Sequence, residues 1–173
     1  MMKYEISNGS LSLKQRIDIL KNFFVSSNLE IFEINNFSDE FLTFVTTLEG
    51  KKVSLNFLLK NVVNSGWANK PEIKRIQVKA ISQENIPINT SNSCSLFAGI
   101  AFVNNEAVLA VWNPFMYVFH KTNRSCYVRV ESLAIASRDG FLKTEDCKQE
   151  VLICDSKHFD SLLNVYLERN SIE

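Results

Sequence analysis

Apolar and polar residues alternate with a period of two along much of the first half of the chain. The alternation runs through residues 29–34, 41–48 and 51–59, and these runs are rich in β-branched and aromatic side chains. Glu49 and Gly50 separate the second run from the third. The pattern predicts one strand followed by a β-hairpin, with a further strand at 73–78.

Before these strands, apolar residues recur at helical spacing. Ser12 and Gln15 have the form of a capping box, in which each side chain bonds the backbone of the other. The apolar residues that follow are Leu13, Ile17, Leu20, Phe23 and Phe24. This spacing predicts an amphipathic helix that ends near Ser27.

The second half of the chain also reads mainly as strands. Apolar runs at 96–103 and 107–112 are separated by Asn104-Asn105, which predicts another hairpin. Further strands are expected at 125–130 and 150–154, a short helix at 131–138, and a final helix from Asp155 to about Arg169. At least seven short strands with three helices indicate an α+β, mostly β fold built as an antiparallel barrel or sandwich.

The composition indicates one globular domain without a cofactor. The 173 residues are 46% hydrophobic and fit a single core, and no apolar run reaches the roughly 18 residues of a membrane helix. Residues 1–10 do not have the pattern of a secretory signal, so we expect a cytoplasmic protein. Four cysteines without a C-x-x-C pair, with two histidines, do not match a zinc site.

The charges are balanced in number but unevenly distributed. The formal net charge is zero, yet residues 60–79 contain five cations and one acid, and residues 107–130 contain three cations and no acid. Many of the balancing acids lie after residue 144. We therefore expect one basic and one acidic face, and the basic face is suited to nucleic acid.

Two groups of side chains are candidates for DNA contact. Arg75 and Gln77 lie two apart on a predicted strand, so both project from one face, and Lys79 continues the row. Arginine pairs with guanine and glutamine with adenine in the major groove. The second group is the run His120, Lys121, Thr122, Asn123 and Arg124, whose side chains suit phosphates and base edges. An ordinary solvated strand face remains the alternative for the first group.

Two other functions remain open on particular residues. Asp39, Glu49 and Lys51 imitate the D…E-x-K pattern of Mg²⁺-dependent nucleases, although Glu49 falls at a predicted turn. A PUA-type or EVE-type barrel that captures one modified base would need an aromatic cage. The residues available for such a cage are Trp67, Trp112 and Tyr117.

Four segments together resemble the B3-like DNA-binding domains of prokaryotic restriction endonucleases. They are residues 57–62 (FLLKNV), 74–78 (KRIQV), 111–114 (VWNP) and 124–128 (RSCYV). The resemblance extends over about residues 53–167, and residues 1–36 lie outside it. It divides the single domain into an N-terminal helix and strands at 1–52 and a B3-like core at 53–170.

The resemblance implies a seven-stranded open antiparallel pseudobarrel with flanking helices that grips the major groove with two arms. The first arm maps onto residues 75–92 and the second onto the segment from Asn113 to Arg124. The implied function is sequence-specific binding of double-stranded DNA without catalysis. The implied partner is a nuclease or motor domain of a restriction complex, as in LlaJI-type systems.

Overall fold

The computed structural model describes residues 5–7, 10–81, 83–116 and 123–170. These residues form eleven strands and three α-helices. The strands are β1 (Ile6–Ser7), β2 (Ile31–Asn36), β3 (Leu42–Leu48), β4 (Lys51–Asn61), β5 (Val63–Asn64), β6 (Ile73–Val78), β7 (Ser93–Val103), β8 (Glu106–Trp112), β9 (Arg124–Arg129), β10 (Phe141–Asp146) and β11 (Gln149–Cys154). The helices are α1 (Leu13–Ser26), α2 (Val130–Asp139) and α3 (Phe159–Asn170).

The strands form two sheets of unequal size. The large sheet has the order β10-β11-β8-β7-β4-β3-β2, and β1 pairs with the end of β7. Its β4 and β7 are parallel, and its other pairs are antiparallel. The small sheet has the order β5-β6-β9 and is antiparallel. The described strands thus form an open mixed sheet with a small antiparallel sheet beside it.

Three hairpins of the large sheet close through two-residue turns in which both residues have positive φ. The turn residues are Glu49-Gly50, Asn104-Asn105 and Cys147-Lys148. Two consecutive left-handed residues match the right-handed twist of the flanking strands, which is why Asn and Gly are favoured there. The first two turns confirm the predicted hairpins.

Helices α1 and α3 cover one face of the large sheet. Ser12 and Gln15 form the predicted capping box at the start of α1. Behind it, Phe24 stacks on Phe44 with ring centroids 5.2 Å apart and meets the edge of Phe159 from α3 at 5.0 Å. These aromatic contacts bind both helices to the centre of the sheet.

The small sheet and α2 cover the opposite face. Cys126 and Val128 of β9 and Ile76 of β6 pack in one core with Trp112 and with Leu133 of α2. Gly99 of β7 lies at the closest approach of the two sheets, because a Cβ built there would be 2.6 Å from Ile76 Cγ2. The absence of a side chain at this position lets the small sheet sit directly on the large one.

The α+β, mostly strand class predicted from the sequence is confirmed, but the all-antiparallel pseudobarrel of seven strands is wrong for the main sheet. That sheet contains eight strands, is mixed, and is not a closed barrel. A parallel pair needs a long crossover, which residues 62–92 provide between β4 and β7. Strand β10, which the pattern did not predict, forms the edge beside β11. None of the described helices has the length and apolar character needed to cross a membrane.

Candidate nucleic-acid interface

The outer face of the small sheet carries the first predicted group of DNA contacts. Ile76 and Val78 of β6 are buried against the large sheet, so Arg75 and Gln77 project to the other side. In the register of the sheet, Arg75 lies opposite Tyr127 and Gln77 opposite Ser125. We call the surface formed by Arg75, Gln77, Ser125 and Tyr127, with Trp67 packed on it, the outer face.

Arg75 is half-buried within this face. Its Nη1 donates a hydrogen bond to Ser125 Oγ at 3.2 Å, and its Nε is buried without a hydrogen-bond partner in the described part of the chain. Gly66 lies over the guanidinium, since a Cβ at Gly66 would be 3.4 Å from Arg75 Nη2, and its φ is +85°. The loop before β6 therefore holds Arg75 in place, whereas Gln77 is exposed.

An aromatic stack that sequence reasoning missed lies next to Arg75. Trp67 stacks on Tyr127 with ring centroids 4.8 Å apart and planes 21° apart. The ammonium of Lys70 lies 5.1 Å from the centroid of the Trp67 ring, within cation–π range. Trp67 keeps 40% of its surface exposed. The alternation along β9 could have predicted that Tyr127 points outward. Its contact with Trp67, 60 positions earlier in the sequence, could not be predicted from any local pattern.

The two basic segments of the sequence meet on the small sheet. Residues 62–80 and 123–129, which contain its three strands, carry Lys70, Lys74, Arg75, Lys79, Arg124 and Arg129 against the single acid Glu72. The Arg129 Nε lies 4.0 Å from the buried carboxylate of Asp146, which also accepts the Arg129 backbone N–H at 2.8 Å. Burial lowers the pKa of Lys74, whose Nζ donates to Asn64 Oδ1 at 2.6 Å. The small sheet is thus a locally basic part of a chain with no net charge.

The start of the first predicted arm and the end of the second lie side by side. Asn123 Oδ1 accepts a hydrogen bond from the backbone N–H of Ala80 at 3.2 Å, and Val78 lies opposite Arg124 in the sheet register. Lys79, between them, is exposed. His120 and Lys121, two further predicted contacts, lie outside the described residues.

The side chains of Asn113 and Arg124 do not join the outward row of Arg75 and Gln77. The amide of Asn113 is used internally, because its Nδ2 donates to Asn170 Oδ1 at 2.9 Å and its Oδ1 accepts from the Phe115 N–H at 3.0 Å. Arg124 belongs by alternation to the inner side of β9, together with Cys126. Both residues line a cavity beside the C-terminal end of α3.

The structure separates the residues of the predicted nuclease motif. Asp39 precedes β3 and Glu49 follows it, so the length of a seven-residue strand lies between them, about 20 Å at 3.3 Å per residue. One metal ion cannot bind both carboxylates, because its ligand distances are about 2–2.6 Å. Lys51 donates to the carbonyl of Ser91. Within the described residues, no cluster of three metal-ligating side chains was found.

The aromatic residues considered for a base-binding cage also lie on different sides of β9. Trp112 is 1% exposed in the core, where its Nε1 donates to the carbonyl of Tyr127 at 3.1 Å. Trp67 lies on the outer face, and Tyr117 is outside the described residues. Trp67 and Trp112 therefore do not form one cage.

The family model of methylase-associated X1 (MTaX1) matches residues 53–159. The chain belongs to this family. The MTaX1 match contains most of β4, all strands from β5 to β11, and α2, so it includes the whole small sheet. No curated protein is significantly similar to the chain. No solved structure is significantly similar either. The family description associates the chain with methylases and hence with restriction-modification, as the sequence resemblance implied, while B3-like character and a LlaJI-type parent stay predictions.

Proposed function

We propose that the outer face of the small sheet binds double-stranded DNA and directs a restriction-modification complex to its sites. The observation that carries the proposal is the set of cations on this side of the small sheet, in a segment, residues 62–80, whose single acid is Glu72. They are Arg75 on the outer face, Lys70 over the Trp67 ring and the exposed Lys79 just after β6. Lys and Arg that neutralise phosphates release condensed counterions, which supplies most non-specific affinity for DNA. The methylase-associated family description supports the same context.

Sequence readout is assigned to β6, supported by β9. A two-stranded β-ribbon fits the major groove, and an outward Gln can bond both N6 and N7 of adenine. Gln77 is the exposed residue of the pair, so we assign it to a base edge. Arg75 lies two residues before Gln77 on the same face of β6, and its guanidinium is held by contacts with Ser125 and Gly66. It adds positive charge to this face, and a guanidinium can pair with guanine.

The two arms extend this face at the end where Ala80 and Asn123 are hydrogen-bonded. Lys79, His120 and Lys121 are assigned to phosphates, and the arms are the B3-like feature of the proposal. The cleavage or translocation reaction is assigned to a separate nuclease or motor subunit, so this domain is proposed to be non-catalytic and cytoplasmic. Incubation of the protein with plasmid and Mg²⁺ is expected to leave the DNA intact.

The test is a set of binding titrations on duplexes selected from a random pool. Gln77→Ala and Arg75→Ala are each expected to cost roughly 1–3 kcal/mol on the preferred duplex and little on unrelated duplexes. Lys79→Ala is expected to weaken all duplexes alike and to lower the salt slope of log K by about one. The matched control is Lys14→Ala, an exposed lysine on α1 across the large sheet.

Equal losses for Gln77→Ala on every duplex would reassign Gln77 to the backbone. Indistinguishable affinities and salt slopes for Lys79→Ala, Lys14→Ala and the parent would show that the small sheet is not the DNA-binding surface. Selection that enriches no sequence would refute site-specific binding.

A further inference from the structure

The cavity that contains Asn113 and Arg124 is a separate feature from the outer face. It has a volume of about 450 Å³ and lies where β8 ends, where β10 turns into β11, and where α3 ends. Its innermost walls include Val111, Leu152 and Tyr166, each at most 2% exposed. The cavity therefore has an apolar floor and an exposed rim that carries its charged side chains.

The amide side chains in its walls are already hydrogen-bonded to the protein. Asn113 and Asn170 bond each other, and the Asn170 Nδ2 also donates to the Tyr166 carbonyl. Gln149 accepts the Tyr127 N–H at 2.7 Å and donates to the Ser125 carbonyl at 3.2 Å. These amides shape the cavity, and their hydrogen bonds leave the charged side chains as the main groups that can select a ligand.

Those charged groups are predominantly positive. Arg124, Lys148 and Arg169 line the cavity, with Glu150 as the carboxylate among the lining residues. The described lining side chains thus include three cations and one carboxylate, and that carboxylate, Glu150, forms an ion pair with Arg169 at 2.9 Å. Lys148, in the β10–β11 turn, makes no ion pair or hydrogen bond to another described residue.

We propose that this cavity is a binding site for a phosphoryl group, held by Lys148, Arg169 and Arg124. Planar guanidinium groups match the oxygens of a phosphate in pairs, and an ammonium adds a point charge. The volume admits a ligand as large as a mononucleotide, since small-molecule sites begin at about 300 Å³. Lys148 and Arg169 come from the otherwise acidic C-terminal part of the chain, so the site is not part of the basic segments that form the small sheet.

The phosphoryl group has two chemical sources, a free nucleotide and the backbone of DNA. Arg124 is adjacent in sequence to Ser125 of the outer face, so the mouth of the cavity lies next to the proposed DNA-binding surface. The proposed phosphoryl site does not depend on the outer face binding DNA, because the residues of the cavity lie on the inner side of β9 and around α3.

The first experiment titrates the full chain with inorganic pyrophosphate by calorimetry. Lys148→Gln removes one charge from the cavity, and its matched control Lys143→Gln removes one from an exposed position on β10 outside it. We expect pyrophosphate to bind the parent and the control equally and to bind Lys148→Gln roughly tenfold more weakly, as expected for loss of a charge-assisted contact. Arg169→Gln is expected to reduce binding further, because it also leaves Glu150 without its cation.

Both cavity variants alter exposed side chains, so their thermal midpoints should match that of the control. Equal pyrophosphate affinity in Lys148→Gln, Arg169→Gln and Lys143→Gln, or no binding by the parent, would overturn the proposal.

A competition experiment then identifies the source of the phosphoryl group. If pyrophosphate displaces duplex DNA from the parent, the phosphoryl group is a backbone phosphate; if both bind together, or if the parent binds no duplex, it is a free nucleotide phosphate. A parent that binds pyrophosphate but no duplex would refute the proposed DNA-binding function and leave the phosphoryl site intact.

Discussion

Replacing Gly99 with alanine is expected to force the two sheets apart. The new Cβ would lie 2.6 Å from Ile76 Cγ2, 2.8 Å from Val62 Cγ2 and 3.4 Å from Trp112 Cζ3. Carbon atoms pack at about 3.5–4.0 Å, so two contacts are about 1 Å too short. Ile76 and Val62 are buried and β-branched, and such side chains have few other rotamers to adopt.

The expected cost is about 2 kcal/mol. Overpacking of a dense core costs roughly 1–3 kcal/mol, and two contacts about 1 Å too short place this site near the upper end of that range. Removing a flexible glycine from a strand returns about 0.5–1 kcal/mol, which leaves about 2 kcal/mol. Urea unfolding followed by circular dichroism should show a lower midpoint with an unchanged m-value, and the melting temperature should fall by roughly 4–8 °C.

A double-mutant cycle tests the cause of the loss. Ile76→Ala alone should cost roughly 2–5 kcal/mol because it leaves a cavity. Combined with Gly99→Ala, it removes the shortest contact, so the double variant should be at least about 1 kcal/mol more stable than the sum of the single losses. Gly50→Ala serves as the control partner, since a Cβ at Gly50 meets no atom within 4 Å and its effect should add to that of Ile76→Ala. A fully stable Gly99→Ala variant, or additive losses with Ile76→Ala, would refute the argument.

Two further predictions concern buried groups and the first helix. Burial raises the pKa of Cys94 to about 12 and raises the pKa of Tyr166 well above its usual value, so the folded state keeps both neutral where the unfolded chain ionises. The contribution of these two groups to the free energy of unfolding should therefore be constant below about pH 8, and the free energy should fall as the pH rises beyond it; an unchanged value from pH 8 to 10.5 in urea titrations would contradict this. Ser12→Ala should cost about 1 kcal/mol by removing the bond to the Gln15 N–H, as measured by urea unfolding, whereas Ser10→Ala, before the cap, should have little effect.

Elements set by local chemistry were predictable from the sequence. Helix α1 follows from its capping box and apolar spacing, and the hairpins at Gly50 and Asn105 follow from residues that tolerate positive φ. The parallel pairing of β4 and β7 was not predictable from the sequence. Strands buried on both faces lack the alternation of apolar and polar residues that marks an antiparallel strand with one solvent-exposed face. Strand β10 was missed because its sequence, FLKTED, has apolar residues only at its start.

The candidate site was predictable only where neighbours in sequence share a face. The outward direction of Arg75 and Gln77 follows from the period of β6, and the structure places both as expected. The stack of Trp67 on Tyr127 and the joining of Arg124 with Lys148 and Arg169 depend on tertiary contacts between distant segments. Ser125 and Arg124 are neighbours in sequence, but Ser125 lies on the outer face and Arg124 lines the cavity. Which of the two faces outward depends on where β9 begins, and no local pattern specified that residue.

The contacts that fix the small sheet are concentrated on β9. The Tyr127 carbonyl accepts the indole N–H of Trp112. The Gln149 side chain accepts the Tyr127 N–H and donates to the Ser125 carbonyl. The neighbouring strand β6 packs against Gly99 through Ile76. Side chains on such a rigid strand keep their spacing, which base readout requires to within a fraction of an ångström. Under the proposed DNA-binding function, readout is assigned to the strand residues Gln77 and Arg75. Phosphate contact is assigned to loop residues of the arms, because charge attraction to a phosphate tolerates looser geometry. This division predicts that substitutions in β6 change which duplex is preferred and that substitutions in the arms change only how tightly any duplex is held.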